Sequence, residues 1–291
     1  MSGDGTHPTI TSRLDDVLET GVLAAAIDPS VAHPGRMYDY LLGGTTNFAA
    51  DRAAVDAGAV VVGGIEFARQ TVRSNRAFLV RAVRWLATEA GVRQFMDIGT
   101  GIPTPPTVHE VAQATAPESR IVYVDNDPIV LAHAHLLMQS APEGATTYIN
   151  GDLREADPIL KEAAEALDFT RPVAVLLVAI LHFFPDCDDP LGIVARLIDA
   201  VPSGSYLVVS HLASDIQADE MAQLAERFAA DEMITETFVM RARTEVARFF
   251  DGLDLVAPGV VGLDDWRPDD ATGLPSAGWV NPFWCGIGVK P

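Results

Sequence analysis

The feature that most constrains the fold of this sequence is a short apolar segment followed by a glycine turn, QFMDIGTGIPTPP at residues 94–106. The apolar residues predict a buried strand, and Gly99 and Gly101 permit a tight turn after it. A second apolar run, RIVYVD, ends in the carboxylate of Asp125. A strand, a glycine turn, a helix and a second strand that ends in an acid form the pattern of a nucleotide-binding half of an α/β sheet.

The turn also indicates what kind of ligand it binds. The run PTPP at residues 103–106 has a threonine where the dinucleotide fingerprint requires its third glycine. Its prolines lack the N–H donors with which a helix N-terminus holds a pyrophosphate. Asp97 would repel a diphosphate but suits a ligand with an ammonium or sulfonium group. S-adenosylmethionine has both groups and no phosphate, so we expect it to face Asp97, with its ribose hydroxyls on Asp125.

The order of motifs resembles that of class I S-adenosylmethionine-dependent methyltransferases and, within them, the actinobacterial S-adenosyl methyltransferase family. The resemblance covers most of residues 28–291. Its core is DIGTG, VYVDNDP, NGDLREAD, VAVLLVAILHFFPD and GSYLVVSH, and its narrower part is HPGRMYDYLLGGTTNFAADR and VRSNRAFLVRAV. It implies an α/β Rossmann-like fold: a seven-stranded, mostly parallel sheet with helices on both faces and an antiparallel last strand.

The remaining chain alternates strands and helices. Further strands are predicted at residues 146–150, 173–178, 206–210, 253–257 and 284–289. Helices are predicted at residues 12–26, 34–42, 47–56, 65–90 and 107–114, from Pro128 through Leu136, and over 215–250. Residues 1–10 have little to bury and are expected to be disordered. We expect residues 1–91 to form an N-terminal helical extension and cap, and residues 92–291 the methyltransferase core, in one compact unit.

Composition excludes several partners and locations. The chain has 20 basic and 40 acidic residues among 291 and a net charge of −20, so no cationic stripe is available for nucleic acid. Cys187 and Cys285 are isolated, which is typical of a reduced, intracellular protein. The most apolar run, residues 173–184, is too short to span a bilayer. We therefore expect a cytoplasmic protein without a membrane partner, and a homodimer is one option for its assembly.

The resemblance adds residues to the cofactor site. It implies that Asp152, after the third strand, accepts a hydrogen bond from the adenine amino group; the alternative is a loop aspartate that caps the next helix. Arg76, in the motif SNR, could pair with the carboxylate of the methionyl group; the alternative is a solvated helix face. The predicted cofactor residues are Arg76, Asp97, Gly99, Thr100, Gly101, Asp125, Asn126, Asp152, Leu153 and Ala179.

The N-terminal helices bear on the acceptor. A glycine pair, Gly43 and Gly44, divides two short helices that carry Tyr38, Tyr40 and Phe48. In the family this segment looks like a cap over cofactor and substrate, so these aromatic residues are predicted to line the acceptor pocket. Phe183 and Phe184, after the fourth strand, are predicted to join them. The alternative is a helical pair packed on the sheet edge, with these aromatic residues in the core.

The strand ends also narrow the chemistry. No Asp/Asn-Pro-Pro-Tyr follows the fourth strand, which disfavours methyl transfer to amino groups of nucleic acid or to protein glutamine. No cysteine follows a proline, which disfavours attack by a cysteine on a pyrimidine ring. Ala179 and Ile180 occupy the positions where a catechol-type enzyme holds magnesium, so no metal is expected. His182 is the first choice for a base and His211 the second, although lone histidines are more often structural.

These observations predict a methyltransferase that uses S-adenosylmethionine and acts on a small molecule by in-line displacement. The alternative is a protein that binds S-adenosylmethionine without turnover and serves in regulation or interaction. An NAD-dependent oxidoreductase is a third and weaker option, because the prolines in the glycine turn disfavour it. Only turnover separates the first two readings.

Overall fold

The computed structural model describes residues 28–127, 129–130, 140–230, 236–268 and 280–291. The helix predicted at residues 12–26 and the disorder predicted at residues 1–10 lie outside these ranges. Most of the helix predicted from Pro128 onwards also lies outside them.

A sheet of eight strands runs through the described part of the chain. The strands are β1 (Gln94–Ile98), β2 (Arg120–Asp125), β3 (Ala145–Asn150), β4 (Ala174–Val178), β5 (Tyr206–Leu212), β6 (Asp254–Leu255), β7 (Val261–Gly262) and β8 (Phe283–Val289). Their order is β3-β2-β1-β4-β5-β8-β6, and β7 also pairs with β8. Strands β1 to β5 are parallel, and β8 is antiparallel to β5. The predicted mostly parallel sheet with an antiparallel last strand is confirmed.

Helices cover both faces of this sheet. They are α1 (Pro34–Leu42), α2 (Ala49–Val61), α3 (Ile65–Thr88), α4 (Val108–Thr115), α5 (Ala156–Ala166), α6 (Pro190–Asp199), α7 (Ala218–Ala229) and α8 (Arg243–Ala247). Alternate strand residues face opposite sides. Phe95 of β1 packs in a core cluster with residues of α3, α4 and α7, whereas Met96 packs in a second cluster with residues of α5, α6 and α8.

The chain order places a crevice at the centre of the sheet. From β1 the strand order runs outward through β2 to β3, and then restarts on the other side of β1 with β4 and β5. Ligands of open α/β sheets bind beyond the carboxyl ends of the strands at such a reversal. The helices α1, α2 and α3 precede β1 in the chain, and α1 contacts both α2 and α3.

The C-terminal third differs from the prediction in two respects. The helix predicted over residues 215–250 is wrong: α7 ends at Ala229, and residues 236–242 form no helix. The N–H of Val239 donates to the carbonyl of His182 at 2.8 Å, and that of Arg241 donates to Leu212 at 3.1 Å. These bonds to the ends of β4 and β5 replace the bonds that a helix would make. The predicted strand at residues 253–257 shortens to two exposed edge residues.

No helix in the described ranges is both long enough and apolar enough to cross a bilayer.

Candidate active site

The glycine turn after β1 has the geometry that its sequence predicts. Gly99 and Gly101 have φ values of 73° and 64°, in the left-handed region that favours glycine. A Cβ atom on Gly99 would lie 2.6 Å from the Cδ1 atom of Ile180, so no other residue fits there without movement. The N–H of Gly101 donates to the Oδ2 atom of Asp125 at 2.8 Å. The turn is therefore held against the end of β2.

Two acids lie at the carboxyl ends of β1 and β2. Asp97 is only 6% exposed, and this burial raises its pKa to about 6, although the charge of Arg76 and a hydrogen bond with Thr100 act in the opposite direction. Burial also raises the pKa of Asp125, against the hydrogen bonds that it accepts from the N–H groups of Asp127 and Gly101. A buried carboxylate of this kind favours a cationic ligand group that compensates its charge.

A cavity of about 290 Å³ lies over these strand ends. It is lined by the ten residues that the sequence assigned to the cofactor, which come from α3, the glycine turn and the ends of β2, β3 and β4: Arg76, Asp97, Gly99, Thr100, Gly101, Asp125, Asn126, Asp152, Leu153 and Ala179. The fold therefore brings the whole predicted set to one place. Their individual contacts with the cofactor stay predictions.

Arg76 and Asp152 both make specific contacts in the cavity wall. The Nη2 atom of Arg76 donates to the carbonyls of Thr104 and Pro106 at 2.7 and 2.8 Å, so this arginine holds the proline-rich part of the turn and is not simply a solvated helix residue. Asp152 accepts from the backbone and the guanidinium of Arg154. It does not cap α5, because that helix begins at Ala156 after another residue at the N-cap.

The tyrosines of α1 have different environments. Tyr38 lines the cavity; its hydroxyl donates to the carbonyl of Val72 at 3.1 Å and accepts from the Nδ2 atom of Asn75 at 2.9 Å. Tyr40 does not line the cavity, and its hydroxyl bonds to Asp56 at 3.3 Å. The structure therefore does not bring Tyr40 to the cavity wall, where the sequence analysis placed it.

Phe48 also lies outside the cavity wall. It occupies the N-cap position of α2, and the guanidinium of Arg36 lies 5.2 Å from the centre of its ring. That arginine is itself buried and pairs with the buried carboxylate of Asp51 at 3.1 Å. Phe48 therefore packs within the junction of α1 and α2, and the structure does not bring it to the cavity wall, where the sequence analysis placed it.

The far end of the cavity is apolar and includes residues that the sequence did not single out. Phe183 and Phe184 line the same cavity, and their contact with an acceptor stays a prediction. They are joined by apolar residues of α2 and the residue after it, of α7 and the segment after it, and of the start of β8: Val55, Val62, Met221, Leu224, Phe228, Phe238 and Phe283. Met221, Leu224 and Phe228 recur at the spacing of one helix face, which would have identified α7. The spacing of apolar residues could not have identified Phe238, because it lies in a segment that was predicted to be helical and is not.

His182 lies in the cavity wall among aromatic rings. It is 4% exposed, and its ring stacks on Phe238 with the centroids 6.1 Å apart. Burial lowers its pKa well below the usual value for histidine, with smaller contributions from the charges of His211 and Arg241. The ring is therefore neutral at pH 7. Its Nδ1 atom is buried, and none of the described residues gives it a hydrogen-bond partner.

His211 is excluded as a base by its hydrogen bonds. Its Nδ1 atom lies 2.8 Å from the carbonyl oxygen of Leu212, and its Nε2 atom lies 3.0 Å from the Nη1 atom of Arg241. Since the guanidinium can only donate, Nε2 accepts and Nδ1 donates, so both nitrogens are occupied. Burial lowers the pKa of His211 to about 4. His211 does not line the cavity.

The sheet order, the left-handed glycine turn and the two buried acids define a class I methyltransferase of the Rossmann-like type. Comparison with known proteins supports this class. The chain belongs to the S-adenosyl methyltransferase family, whose model matches residues 20–291. It is thus an S-adenosylmethionine-dependent methyltransferase, and the resemblance inferred from its motifs is confirmed.

Two solved structures are similar over almost the whole chain. A DUF574 family protein from Streptomyces avermitilis is 44% identical, with 91% of this chain and 99% of that chain covered and a TM-score of 0.86. A protein from Thermobifida fusca that is proposed to be a methyltransferase is 37% identical, with 90% and 96% covered and a TM-score of 0.79. No curated protein matches the chain.

Proposed function

We propose that this enzyme transfers the methyl group to a small, largely apolar molecule held at the far end of the cavity. One observation carries the proposal: the cavity that begins at the glycine turn continues into a region lined by apolar side chains from α2, α7, the segment after α7 and the start of β8. Pockets for small molecules are typically lined in this way, with few polar groups. The acidic surface gives no support to a nucleic-acid acceptor.

The polar end of the cavity suits S-adenosylmethionine. Asp97 would take the ammonium group, Asp125 the ribose hydroxyls and Asp152 the adenine amino group, since these acids follow β1, β2 and β3 in that order. Arg76 would pair with the methionyl carboxylate through the part of its guanidinium that does not bind the turn. The bound cofactor supplies a methyl group activated by a sulfonium.

The chain has three tasks in an in-line displacement: to align the acceptor, to exclude water and to receive one proton. The apolar residues and the helices α1 and α2 serve the first two. For the third we propose His182, because it is neutral at pH 7 and its Nδ1 atom has no hydrogen-bond partner in the part of the chain that the structure describes. A purely structural role in the aromatic cluster remains its alternative, and a glutamine variant that keeps full turnover would establish that role.

A pair of tryptophan variants at the C-terminal end of α2 tests the acceptor site. Val62 is half-buried and lines the cavity, whereas Val60 is 80% exposed. The substrate would be found by incubating the enzyme and labelled methyl donor with a metabolite extract. We expect Val62→Trp to keep its affinity for S-adenosylhomocysteine but to lose about tenfold or more in kcat/KM for the acceptor, roughly 1.4 kcal/mol. Val60→Trp should match the wild type in both measurements.

Two outcomes would contradict this proposal. One is label transferred to protein or nucleic acid and not to any small molecule. The other is full acceptor turnover by Val62→Trp. Absence of any turnover, with S-adenosylhomocysteine still bound, would instead favour the binding protein without catalysis.

We also propose that the enzyme works in the cytoplasm, with the N-terminal helices and the core as one unit. The support for the location is the two separate cysteines, one buried and one exposed. The support for the unit is the cavity wall, to which α1, α2 and α3 contribute together with the strand ends. A homodimer stays one option for its assembly.

A further inference from the structure

A chain of side-chain hydrogen bonds crosses from α1 to the end of β4. The Nδ2 atom of Asn75 donates to the hydroxyl of Tyr38 at 2.9 Å, and that hydroxyl donates to the carbonyl of Val72. The Oγ atom of Ser210 donates to the Oδ1 atom of Asn75 at 2.6 Å. The N–H of Ala179 donates to the same Oγ atom at 3.0 Å. Each donor therefore has a matching acceptor, and the donor-to-acceptor direction of every hydrogen bond in this series is fixed.

Ala179, at the end of this series of hydrogen bonds, has an unfavourable backbone conformation. Ala179 has a φ of 58°, a left-handed conformation that costs a residue with a Cβ atom about 1 kcal/mol or more. Its N–H also donates to the carbonyl of Ser210 at 3.1 Å. The next residue, Ile180, packs against Gly99 in the glycine turn. The conformation of Ala179 therefore affects the turn on which the cofactor binds.

Asn75 is well placed to transmit a change between these parts. It is 2% exposed, Ser210 is fully buried, and Asn75 lines the cavity together with Tyr38 and Ala179. Its amide is the only kind of group of this size that accepts at one end and donates at the other, as the two neighbours require. An aspartate in its place would have no donor for the tyrosine.

We propose that Asn75 is a positioning residue that couples α1 to the end of β4, so that binding of the cofactor orders α1 over the acceptor site. The inference rests on the proposed function, because it assigns α1 to the acceptor. The ordering does not need an acceptor to be present. It can therefore be measured with S-adenosylhomocysteine alone.

The test is hydrogen exchange with and without S-adenosylhomocysteine in wild type, Asn75→Asp and Tyr38→Phe. In the wild type, the ligand should slow exchange at residues 34–42 and at residues 99–101. Each variant should keep the slowing at residues 99–101 and lose most of it at residues 34–42. The matched control is Tyr40→Phe, which removes a hydroxyl from a residue of the same helix that does not line the cavity and should behave as the wild type.

A double variant distinguishes coupling from general loosening. If Tyr38 and Asn75 act through one hydrogen bond, the double variant should keep the same residual slowing at residues 34–42 as the single variants. A double variant that loses this residual slowing would overturn the proposal, as would unchanged slowing in both single variants or an equal loss in Tyr40→Phe. Absence of slowing at residues 34–42 in the wild type would overturn it too.

The folding of each variant is checked by its thermal transition. If Asn75→Asp does not fold, Tyr38→Phe and its Tyr40→Phe control decide the outcome alone. None of these results bears on the small-molecule acceptor, which the turnover assay with the tryptophan variants tests separately. Failure of the coupling and failure of the proposed function therefore give different observations.

Discussion

Among individual residues, the two acids at the strand ends differ in what their carboxylates already bind. Both oxygens of Asp125 accept backbone N–H groups, from Gly101 and Asp127. Asp97 is buried with a hydrogen bond from Thr100 and the more distant charge of Arg76, and burial has the larger influence on its pKa. Asp97 is thus the acid that gains most from a cationic ligand group, whereas Asp125 also maintains the shape of the turn.

The raised pKa of Asp97 predicts a pH dependence of cofactor binding. As the pH falls through about 6, this carboxyl becomes protonated and can no longer pair with the ammonium of S-adenosylhomocysteine. We expect the affinity to fall by up to about tenfold per pH unit below that value, measured by calorimetry. Asp97→Asn should bind weakly at every pH and lack this step. A wild-type affinity that stays constant from pH 7.5 to pH 5 would contradict the assignment.

A second residue prediction concerns Asp125. Asp125→Ala should weaken binding of S-adenosylhomocysteine by roughly 1.5–3 kcal/mol, because a charged acceptor for the ribose hydroxyls is lost and the N–H of Gly101 loses its partner. Asp125→Asn keeps one acceptor oxygen and should fall between the wild type and the alanine variant. Calorimetry that gives equal affinities for the wild type and Asp125→Ala would exclude this role.

Among the elements, α1 is attached to the core at both ends of the cofactor site. Tyr38 connects it towards β4, and the residue at its N-cap, His33, pairs through Nδ1 with the Oδ2 atom of Asp127 at 2.9 Å. Asp127 in turn donates its N–H to Asp125. The helix itself begins at Pro34 and ends at Leu42, and Gly43 after it has a left-handed conformation. Its position is therefore set from both ends and by contacts distant in sequence.

The His33 pair makes this attachment dependent on pH. Burial lowers the pKa of His33, and so does the charge of Arg36. The hydrogen bond and charge of Asp127, together with the charge of Asp125, outweigh these two effects, so the pKa of His33 is raised overall. The pair therefore stabilises the fold fully at a pH below the pKa of histidine in the unfolded chain, about 6.5. This contribution is lost as the pH rises through the higher pKa that His33 has in the folded protein.

Unfolding by urea at pH 6 and pH 9 tests this attachment. Between these values the wild type should lose about 0.5–1 kcal/mol more stability than His33→Gln, which cannot gain or lose the charge. The titration of Asp97 near pH 6 occurs in both proteins, so it does not affect the difference between their losses of stability. Equal losses in the two proteins would show that the His33 charge contributes nothing to the position of α1.

For the whole molecule, the distribution of acids bears on metal use. The chain has 40 acidic residues, yet in the ranges that the structure describes no three His, Cys, Asp or Glu side chains are grouped so that they could hold a metal ion. Many of the acids instead cap turns or pair with arginine, as Asp186 does with Arg241 at 2.7 Å.

We therefore predict that methyl transfer is independent of added metal. Activity on the acceptor, once it is found, should be unchanged by a chelator at a concentration that exceeds all metal in the assay. A control with a magnesium-dependent methyltransferase in the same buffer establishes that the chelator is effective. Activity that disappears with the chelator and returns with magnesium would show the prediction wrong.

Local patterns in the sequence determined most of the core. In the strands before and after the glycine turn, successive residues face the two apolar clusters alternately, so both faces of these strands are buried. Their apolar residues therefore identify the strands without tertiary information. Gly99, Gly101, Asp97 and Asp125 follow from the same local rules, because a tight turn and a strand-end acid are features of a few adjacent residues. The resemblance added Arg76 and Asp152, which lie in the same cavity.

Only the tertiary structure decided the acceptor end. Whether Tyr38 or Tyr40 faces the cavity depends on the rotation of α1, which its contacts with α2, α3 and the core set. The segment after α7 carries apolar residues that suit a helix, but Arg241 is buried against the carbonyls of Leu181 and Phe184, about 60 positions earlier. A sequence pattern describes neighbours along the chain, and bonds between such distant residues form only when the sheet has brought its strand ends together.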